Sequence, residues 1–346
     1  MTPPPVDQPE SELDWRRSVR GAAPRLLVGA ALGILAFWLA FRGADWAEMG
    51  RALTAVDYGW VGAALLSIAL TLIALTFRWQ WLFYPDHRRR GWFNLFSGIV
   101  VGQMLNIIVP ARLGEVARAY VVGGQEQLSR ARVLVTVGVE KVLDLGTFAV
   151  SVVVLLFSMS LPLWLQESGW ALIATGAAAL LGTLAFSLWG RRLLGWLERF
   201  SGRLPAWLGS RVARYGHQAL DGLSAFNNWR MQLGAWTASL VILTLSVSTN
   251  YLLFLAFHLP LPPLAALFML VVLQVGNAPP SLPGKLGVFH YLTVLALTPF
   301  AVDSSVALSY AFVLYAVAIL PKIILGAILL AVWRYRRGAA LTPRWS

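Results

Sequence analysis

Cysteine is absent from this chain of 346 residues, which excludes disulfide bonds and thiolate chemistry. Charged residues are scarce as well: they make up 13% of the sequence, whereas hydrophobic residues make up 58%. Soluble domains contain about 25% charged residues, so this composition excludes the soluble fold classes. The long charge-free runs instead predict an all-α polytopic membrane protein.

Signatures of metal and nucleotide chemistry are also missing. The four histidines are scattered and lack the spacing of metal ligands. The sequence contains no glycine-rich phosphate-binding loop. We therefore expect no metal or other cofactor, no enzymatic catalytic constellation, and no transport driven by nucleotide hydrolysis.

Lysine is rare, because only Lys141, Lys285 and Lys322 occur among the 28 basic residues. All three fall in apolar segments, whereas the polar segments carry arginine. Lys322 follows Pro321 within an apolar run, so its amine needs an acid, a substrate anion or a backbone carbonyl at a helix kink. The net charge of +12 is typical of a membrane protein with cytoplasmic arginines, and predicts membrane lipids rather than nucleic acid as the partner.

Apolar runs long enough to cross a bilayer, which takes about 20 helical residues, define the predicted spans. Six are expected, at 25–42, 58–83, 133–158, 169–190, 232–257 and 304–333. Three shorter or proline-broken apolar runs lie at 92–109, 264–282 and 286–302. We predict a single membrane domain over 25–338 between two cytoplasmic tails, 1–24 and 339–346, with the first tail disordered rather than a signal peptide.

The placement of arginine predicts the topology. The first tail, the 84–91 loop, the 191–230 linker and the C-terminus are rich in arginine and are expected in the cytoplasm. The linker also has the pattern of an amphipathic helix. All of these segments can be cytoplasmic only if 92–132 and 264–303 each leave the membrane on the same side as they enter it. Each is then a re-entrant hairpin or a pair of short helices, entered from the cytoplasm in the first case and from outside in the second.

One short motif occurs twice, as Pro110-Ala111-Arg112-Leu113-Gly114 and Pro283-Gly284-Lys285-Leu286-Gly287. Each copy follows a Gln-x-x-Asn sequence, which ends at Asn106 or Asn277. The offset of 173 residues between the copies also carries span 58–83 onto 231–256. We therefore predict an inverted-topology repeat, with repeat one at about 58–158 and repeat two at about 231–333.

The proline and the cation of the motif indicate an anion site. Proline suits the first turn of a helix, where no donor is needed from it, and a helix start inside the membrane presents free N–H groups to anions. Arg112 adds a planar fork that matches phosphate or carboxylate, and Lys285 supplies a cation from the opposite side. The alternative for both side chains is snorkelling to the nearest interface.

Acidic residues accompany the first motif. Glu140 and Asp144 are four residues apart and share a helix face, Lys141 is three residues from Asp144, and Glu115 follows the motif directly. Acids at such depth need cationic partners. The basic residues available are Arg112, Arg118 and Lys141. The pattern leaves a structural salt-bridge cluster and a proton- or substrate-coupling role equally open.

Aromatic residues are abundant and include 16 tryptophans. Many lie at the ends of the predicted spans, where amphipathic rings sit at the level of the lipid headgroups. Arg78 beside Trp79 is interpreted in the same way, as an interface anchor.

Several of these segments resemble a known family. The run 106–118 (NIIVPARLGEVAR), Glu140-Lys141-x-x-Asp144, the Arg78-Trp79 pair and the late PGKLGVF are similar to the flippase-like transmembrane domain of lysylphosphatidylglycerol synthases and its stand-alone bacterial and archaeal relatives. The resemblance covers about 25–335. It implies movement of a lipid or lipid-linked headgroup between leaflets of the cytoplasmic (inner) membrane. Many relatives have Gly-Gly in the second motif, where this chain has Lys285 in place of the second glycine.

We therefore favour a lipid translocator that binds a phosphate-bearing headgroup. The alternatives are a secondary transporter of a small soluble anion and a membrane-embedded enzyme acting on a lipid phosphate. No soluble aminoacyl-transfer domain is expected, since the longest cytoplasmic stretch, 191–230, is shorter than the roughly 50 residues of a small domain. The candidate substrate-binding residues are Asn106, Arg112, Glu115, Arg118, Glu140, Lys141, Asp144, Asn277, Lys285 and Lys322.

Overall fold

The computed structural model describes residues 33–42, 44–83, 90–109, 113–159, 228–276 and 283–341, and the single positions 174 and 178. The predicted tail 1–24 and most of the predicted span 169–190 and of the 191–230 linker lie outside these residues. Two candidate site residues, Arg112 and Asn277, also lie outside them.

Every regular element within the described residues is helical, which confirms the predicted all-α class. Residues 33–41 are helical. The α-helices that follow are α1 (Trp46–Thr54), α2 (Tyr58–Trp81), α3 (Trp92–Ile108), α4 (Gly114–Gln125), α5 (Arg130–Ser158), α6 (Trp229–Ala256), α7 (Pro263–Gly276), α8 (Val288–Leu297) and α9 (Ser304–Leu341). One-turn 3₁₀ segments at Pro283–Lys285 and Thr298–Phe300 flank α8.

Helix α1 lies where the sequence predicts only a connection between spans. Its start is fixed by Asp45, whose side chain accepts hydrogen bonds from the backbone N–H groups of Ala47 and Glu48. Met49 of α1 is buried in one cluster with Leu308 of α9. Capping and packing together therefore order a segment too short to be recognised from its hydrophobicity.

Four described helices are long and apolar enough to cross a membrane, namely α2, α5, α6 and α9. Their outer surfaces carry large apolar side chains. Leu66, Phe157 and Ile324 are 61%, 83% and 56% exposed. Such surfaces are unfavourable in water and match lipid chains. The polytopic membrane class is confirmed, whereas the total of six spans stays a prediction.

The helices of the two halves recur in the same order. Adding 173 to the first residues of α2, α3, α4 and α5 gives 231, 265, 287 and 303, and helices α6, α7, α8 and α9 begin at 229, 263, 288 and 304. The pairwise packing recurs as well: α3 contacts α9 as α7 contacts α5, and α2 contacts α3 as α6 contacts α7. We refer to α2–α5 as the first half and to α6–α9 as the second half.

The equivalent helices α2 and α6 pack against each other in antiparallel fashion. In the middle of α2, the hydroxyl of Ser67 donates to the carbonyl of Leu245 at 2.8 Å. Near its end, Arg78 donates to Ser239, which lies earlier in α6, at 3.3 Å. Antiparallel packing of equivalent helices is the arrangement that an inverted-topology repeat requires. The orientation of each half in a membrane stays a prediction.

Besides the cluster around Met49 and Leu308, two larger clusters of buried apolar side chains hold the helices together. One joins helices of both halves around Phe254, Phe268 and Tyr310. The other lies mainly in the first half, around Trp79 and Leu143. The charged residues of the candidate site lie beside this second cluster and extend from it toward the boundary between the halves.

Candidate functional site

Six charged side chains of the first half lie together and form what we call the charge network. Its members are Arg78 on α2, Glu115 and Arg118 on α4, and Glu140, Lys141 and Asp144 on α5. Three members are cations and three are carboxylates, so the formal charge of the network is zero. All except Arg78 are candidates from the sequence.

Glu140 is the buried centre of the network. Arg118 donates to both of its carboxylate oxygens, from Nη1 at 3.3 Å and from Nη2 at 2.7 Å. Nη2 of Arg78 lies 3.4 Å from Oε1 of the same carboxylate. The side chains of Arg118 and Glu140 are only 7% and 8% exposed. Arg118 is one of the three cations that the sequence offers as partners for these acids, and its pair with Glu140 is bidentate, the most directional kind of ion pair.

Arg78 is not an interface anchor, so that interpretation is wrong. The residue is 1% exposed, and its Nη1 lies 2.7 Å from Oδ1 of Asp144. Trp79 is fully buried too. Its indole N–H donates to Thr136 at 3.1 Å, and the guanidinium carbon of Arg118 lies 4.0 Å from its ring centroid. The antiparallel contact of α2 with α6 closes over Arg78, which is why it faces the interior.

The remaining members of the network are half-exposed. Nζ of Lys141 lies 3.2 Å from Oε1 of Glu115 and 4.0 Å from Oδ2 of Asp144. The side chains of Lys141, Glu115 and Asp144 are 48%, 29% and 43% exposed. The predicted pair of Lys141 with Asp144 is therefore present at the limit of an ion pair, and Glu115 is the nearer partner. This edge of the network is the part that a ligand can reach.

Asn106 joins the two short helices of the first half. Its side-chain oxygen accepts a hydrogen bond at 2.8 Å from the backbone N–H of Gly114, the first residue of α4. A side chain at Gly114 would collide with the carbonyl oxygen of Gly102 on α3, so only glycine permits this approach. The sequence predicts that the N–H groups at the start of this helix are free to bind an anion. The N–H of Gly114 is instead hydrogen-bonded to Asn106.

A cavity of about 760 Å³ lies between the two halves. Its wall includes residues from α2 and α5 of the first half and from α6, α7, α8 and α9 of the second. Many of these residues are apolar. We call it the central cavity.

All three lysines of the chain line the central cavity. Lys141 lies on α5, Lys285 precedes α8 and Lys322 lies on α9. The carboxylate among the described lining residues is Asp144. The formal charge of these lining side chains is therefore +2. Low lysine content confined to apolar segments is the sequence signal that singles these three residues out.

Uncharged polar side chains also line the central cavity, and most of them are not among the candidate residues from the sequence. Among them are Thr71 on α2, Ser246, Thr249 and Asn250 on α6, and Gln274 on α7. The polar run 246–250 within an apolar span is the signal that could have identified those on α6. These groups supply neutral hydrogen-bonding partners beside the lysines.

The second motif forms a strained turn at the cavity wall. Gly284, Lys285 and Gly287 have φ angles of 73°, 57° and 83°. For a residue other than glycine this region is unfavourable by about 1–2 kcal/mol, so Lys285 needs support from its surroundings. The hydroxyl of Tyr315 on α9 supports this turn by donating a hydrogen bond to the carbonyl of Gly284 at 2.9 Å.

Lys322 lies on α9 directly after Pro321. No carboxylate in the described part of the chain forms an ion pair with it, and its ammonium interacts electrostatically with that of Lys285. An ammonium within a membrane span calls for an anionic or polar partner. The cavity is where such a partner can be placed.

These features define a polytopic helical membrane protein with a cation-rich cavity between two similar halves. The sequence profile described as the lysylphosphatidylglycerol synthase TM region matches residues 26–326. The chain belongs to this family, as its motifs predict. The family and its relatives indicate a lipid-related function in a membrane.

Two curated relatives illustrate the family. A UPF0104 membrane protein of Methanothermobacter thermautotrophicus is 27% identical over 280 residues, which cover 75% of this chain and 81% of the relative. The glycosyltransferase AglD of Haloferax volcanii is 26% identical over 336 residues, which cover 86% of this chain and 54% of that protein. The chain thus spans about half the length of the glycosyltransferase.

Proposed function

We propose that this protein moves a lipid with an anionic, phosphate-bearing headgroup between the leaflets of a membrane. The headgroup binds in the central cavity while the acyl or prenyl chains stay in the surrounding lipid. The convergence of Lys141, Lys285 and Lys322 on one cavity is the observation that carries this proposal. Lysine is unfavourable in a membrane span by about 3 kcal/mol, so three at one cavity favour a role with an anion.

The size and position of the cavity support this function. Ligand cavities typically measure about 300–1,000 Å³, and 760 Å³ falls within that range. Substrates of secondary transporters bind near the bilayer midplane, between structural repeats. The short helices α3 with α4 and α7 with α8 contact each other in pairs, which favours the two predicted re-entrant hairpins.

A lipid substrate is favoured over a soluble one by the family and by the cavity wall. The family is named after a synthase of lysylphosphatidylglycerol, which is a phospholipid. Apolar side chains such as Leu145, Phe148 and Phe289 line the same cavity as the lysines. An amphipathic ligand matches a wall that is both apolar and cationic. We place the protein in the cytoplasmic membrane with both termini inside, as the arginine pattern predicts.

The proposal can be tested with proteoliposomes that carry fluorescent anionic phospholipids. Wild-type protein is compared with Lys322→Gln and Arg112→Ala, and with Arg51→Gln, which removes an exposed cation of α1 that does not line the cavity. We expect wild type and Arg51→Gln to move the label between leaflets, and Lys322→Gln to do so at least about tenfold more slowly, since it removes one charged contact.

Two results would overturn the proposal. One is equal lipid movement by wild type, Lys322→Gln and Arg112→Ala. The other is movement of inorganic phosphate but of no lipid, which would identify a soluble-anion transporter. Covalent change of the lipid would instead identify an enzyme, as the name of the relative AglD suggests for that protein. Chromatography of the recovered lipid detects it.

A further inference from the structure

Three hydroxyl side chains line the central cavity where α2 and α6 pack together, and we call them the polar wall. They are Thr71 on α2 and Ser246 and Thr249 on α6. The Thr249 hydroxyl lies 3.0 Å from the hydroxyl of Ser67, and the backbone carbonyl of Ser67 accepts a hydrogen bond from Thr71. Asn250 adjoins the wall and donates to the backbone carbonyl of Ser246 at 3.0 Å. These contacts make the wall one continuous polar surface.

The hydrogens of the polar wall already have acceptors within the protein. Thr71 donates to the backbone carbonyl of Ser67 and Ser246 to that of Ile242, both at 2.8 Å. The hydroxyl of Thr249 lies within hydrogen-bonding distance of the Ser67 hydroxyl and of the backbone carbonyl four residues earlier, at 3.0 and 2.9 Å. A hydroxyl group has one hydrogen and two lone pairs. The groups that the wall retains for a ligand are therefore acceptors.

Position distinguishes the polar wall from other hydroxyls of α6. Hydroxyls that donate to the preceding helical turn are common, and Thr237 and Thr244 do the same. Both are exposed, but neither lines the cavity. Such a hydroxyl needs no further partner on a surface that faces lipid, whereas in a cavity its lone pairs are available to the occupant. Thr244 is thus a matched control for the wall.

A phosphate group is a poor partner for the polar wall. The oxygens of an ionised phosphate accept hydrogen bonds, so acceptors would face acceptors. The ammonium groups of lysine are donors without any acceptor, and lysines line the same cavity. The lining therefore matches a ligand with two parts, a phosphate for the lysines and a group rich in hydrogen-bond donors for the wall.

The polar wall and the charge network lie on the same pair of helices. The network residue Arg78 donates to Ser239 at 3.3 Å. Thr71 precedes Arg78 by seven residues, and Ser246 follows Ser239 by seven. Because α2 and α6 are antiparallel, both steps run in the same direction, over two helical turns or about 10 Å. The side chain of Lys141, a phosphate and a group of the size of glycerol or a sugar are together long enough to cover this distance.

An ammonium group, the other common donor of lipid headgroups, fits this cavity poorly. Asp144 is the carboxylate among the described lining residues, and it lies 2.7 Å from Arg78. The second half offers no replacement. Its single Asp or Glu in the sequence from 229 to 346 is Asp303, which caps the start of α9 by accepting from the backbone N–H of Ser305 at 2.7 Å. A ligand ammonium would meet lysines without an unpaired carboxylate, whereas a neutral hydroxyl avoids this repulsion.

We propose that the polar wall is a subsite for a neutral polyol, so that the headgroup carries hydroxyl groups beside its phosphate, as in a glycerol or sugar phosphate. The ligand hydroxyls donate to Thr71, Ser246 and Thr249, and the phosphate accepts from lysine. This inference rests on the proposed function and narrows its substrate class. It disfavours lipids whose headgroup is a bare phosphate and lipids whose headgroup donor is an amine.

Phosphatidylglycerol and phosphatidylpropanol with the same tails form a matched pair of probes. Both are phosphodiesters with one negative charge, and they differ in the two hydroxyls of the glycerol headgroup. One hydrogen bond between neutral groups corresponds to about fivefold in affinity. We therefore expect wild type to bind phosphatidylglycerol at least about fivefold more tightly than phosphatidylpropanol.

The experiment equilibrates the purified full chain with equal concentrations of both probes in micelles of short-chain phosphatidylcholine, a headgroup without hydrogen-bond donors. Native mass spectrometry counts the bound probes, which differ in mass. The variants are Thr71→Val, Ser246→Ala and their combination, with Thr244→Val as the control. We expect Thr244→Val to keep the wild-type preference, each single variant to lower it at least about twofold, and the double variant at least about threefold. Lower stability alone would affect both probes and leave their ratio unchanged.

Two competitors identify the source of the polyol and the kind of donor. Glycerol 3-phosphate carries a phosphate and hydroxyls without tails. If it displaces phosphatidylglycerol at equal concentration, the subsite belongs to a soluble ligand and the lipid assignment is wrong, whereas displacement only at a large excess supports a lipid. Phosphatidylethanolamine has an ammonium in place of the hydroxyls. Binding as tight as that of phosphatidylglycerol would refute the neutral polyol.

Failure of this inference is distinguishable from failure of the proposed function. Equal affinity of wild type for the two matched probes, with translocation that still depends on Lys322, would refute the polyol subsite and leave the lipid translocator. A clear preference for phosphatidylglycerol without movement of any lipid would support the subsite and refute the translocator. A preference that the double variant keeps, or that Thr244→Val loses, would refute the assignment to the polar wall.

Discussion

Replacement of Glu140 by glutamine is predicted to destabilise the protein more than any other single change in the charge network. The carboxylate accepts two hydrogen bonds from Arg118 and lies 3.4 Å from Arg78. Glutamine keeps the shape but removes the charge, so Arg118 would lose the carboxylate that accepts its two hydrogen bonds, and Arg78 would keep its ion pair with Asp144 only. Loss of one partner from a buried ion pair costs about 3–5 kcal/mol.

Glu115→Gln is the matched control, because it removes a carboxylate from the same network at a half-exposed position. Its partner Lys141 is 48% exposed. Pairs of this kind contribute about 0–1 kcal/mol. The free energy of unfolding can be measured by titration with a denaturing detergent, with tryptophan fluorescence as the readout, since Trp79 lies under the Arg118 guanidinium.

A double-mutant cycle separates the ion pair from other effects of the change. If the pair is the cause, Glu140→Gln combined with Arg118→Gln should be destabilised by clearly less than the sum of the two single variants. The reasoning is refuted if Glu140→Gln and Glu115→Gln unfold within about 1 kcal/mol of each other, or if the two changes at the pair are additive.

Two further predictions concern the packing and the topology. Gly114→Ala should lower the stability by about 1–3 kcal/mol or prevent folding, because the new methyl group meets the carbonyl oxygen of Gly102. In the control Gly62→Ala on α2, the methyl group enters open space and should be tolerated. Equal thermal midpoints of the two variants would contradict the packing. A cysteine introduced as Ser210→Cys into this cysteine-free chain should react with an impermeant reagent only from the cytoplasmic side, and labelling only from outside would invert the predicted topology.

The long helices could be predicted from the sequence because their signal is strong. Continuous apolar runs of about 20 residues have few other uses, and the predicted spans 58–83 and 232–257 differ from α2 and α6 by at most three residues at either end. Helix α1 was missed for the opposite reason. Its nine residues depend on the Asp45 cap and on contacts with α9, which lie far away in the sequence.

Parts of the candidate site were also predictable. Spacing alone placed Glu140 and Asp144 on one face, and the demand of buried acids for cations led to Arg118 and Lys141. Arg78 was missed because an arginine beside a tryptophan near a span end is typical of an interface anchor. Only the packing of α2 against α6 decides that this side chain points inward.

The convergence of the lysines could not be derived from local pattern. Their rarity singled them out, but Lys141, Lys285 and Lys322 lie on elements up to 181 residues apart. The approach of α5, α8 and α9 to a shared cavity depends on the packing of the two halves. Three-dimensional structure was therefore needed to turn a compositional oddity into a site.

The unequal charge of the halves has a consequence for how such a molecule can be assembled. A homodimer of the first half would surround its centre with two copies of a neutral network. A homodimer of the second half would gather four lysines there, Lys285 and Lys322 from each copy, without one carboxylate. Only a pair of one first half and one second half combines a wall of zero formal charge with a cationic wall. The covalent linker therefore enforces a one-to-one stoichiometry between two parts that cannot replace each other.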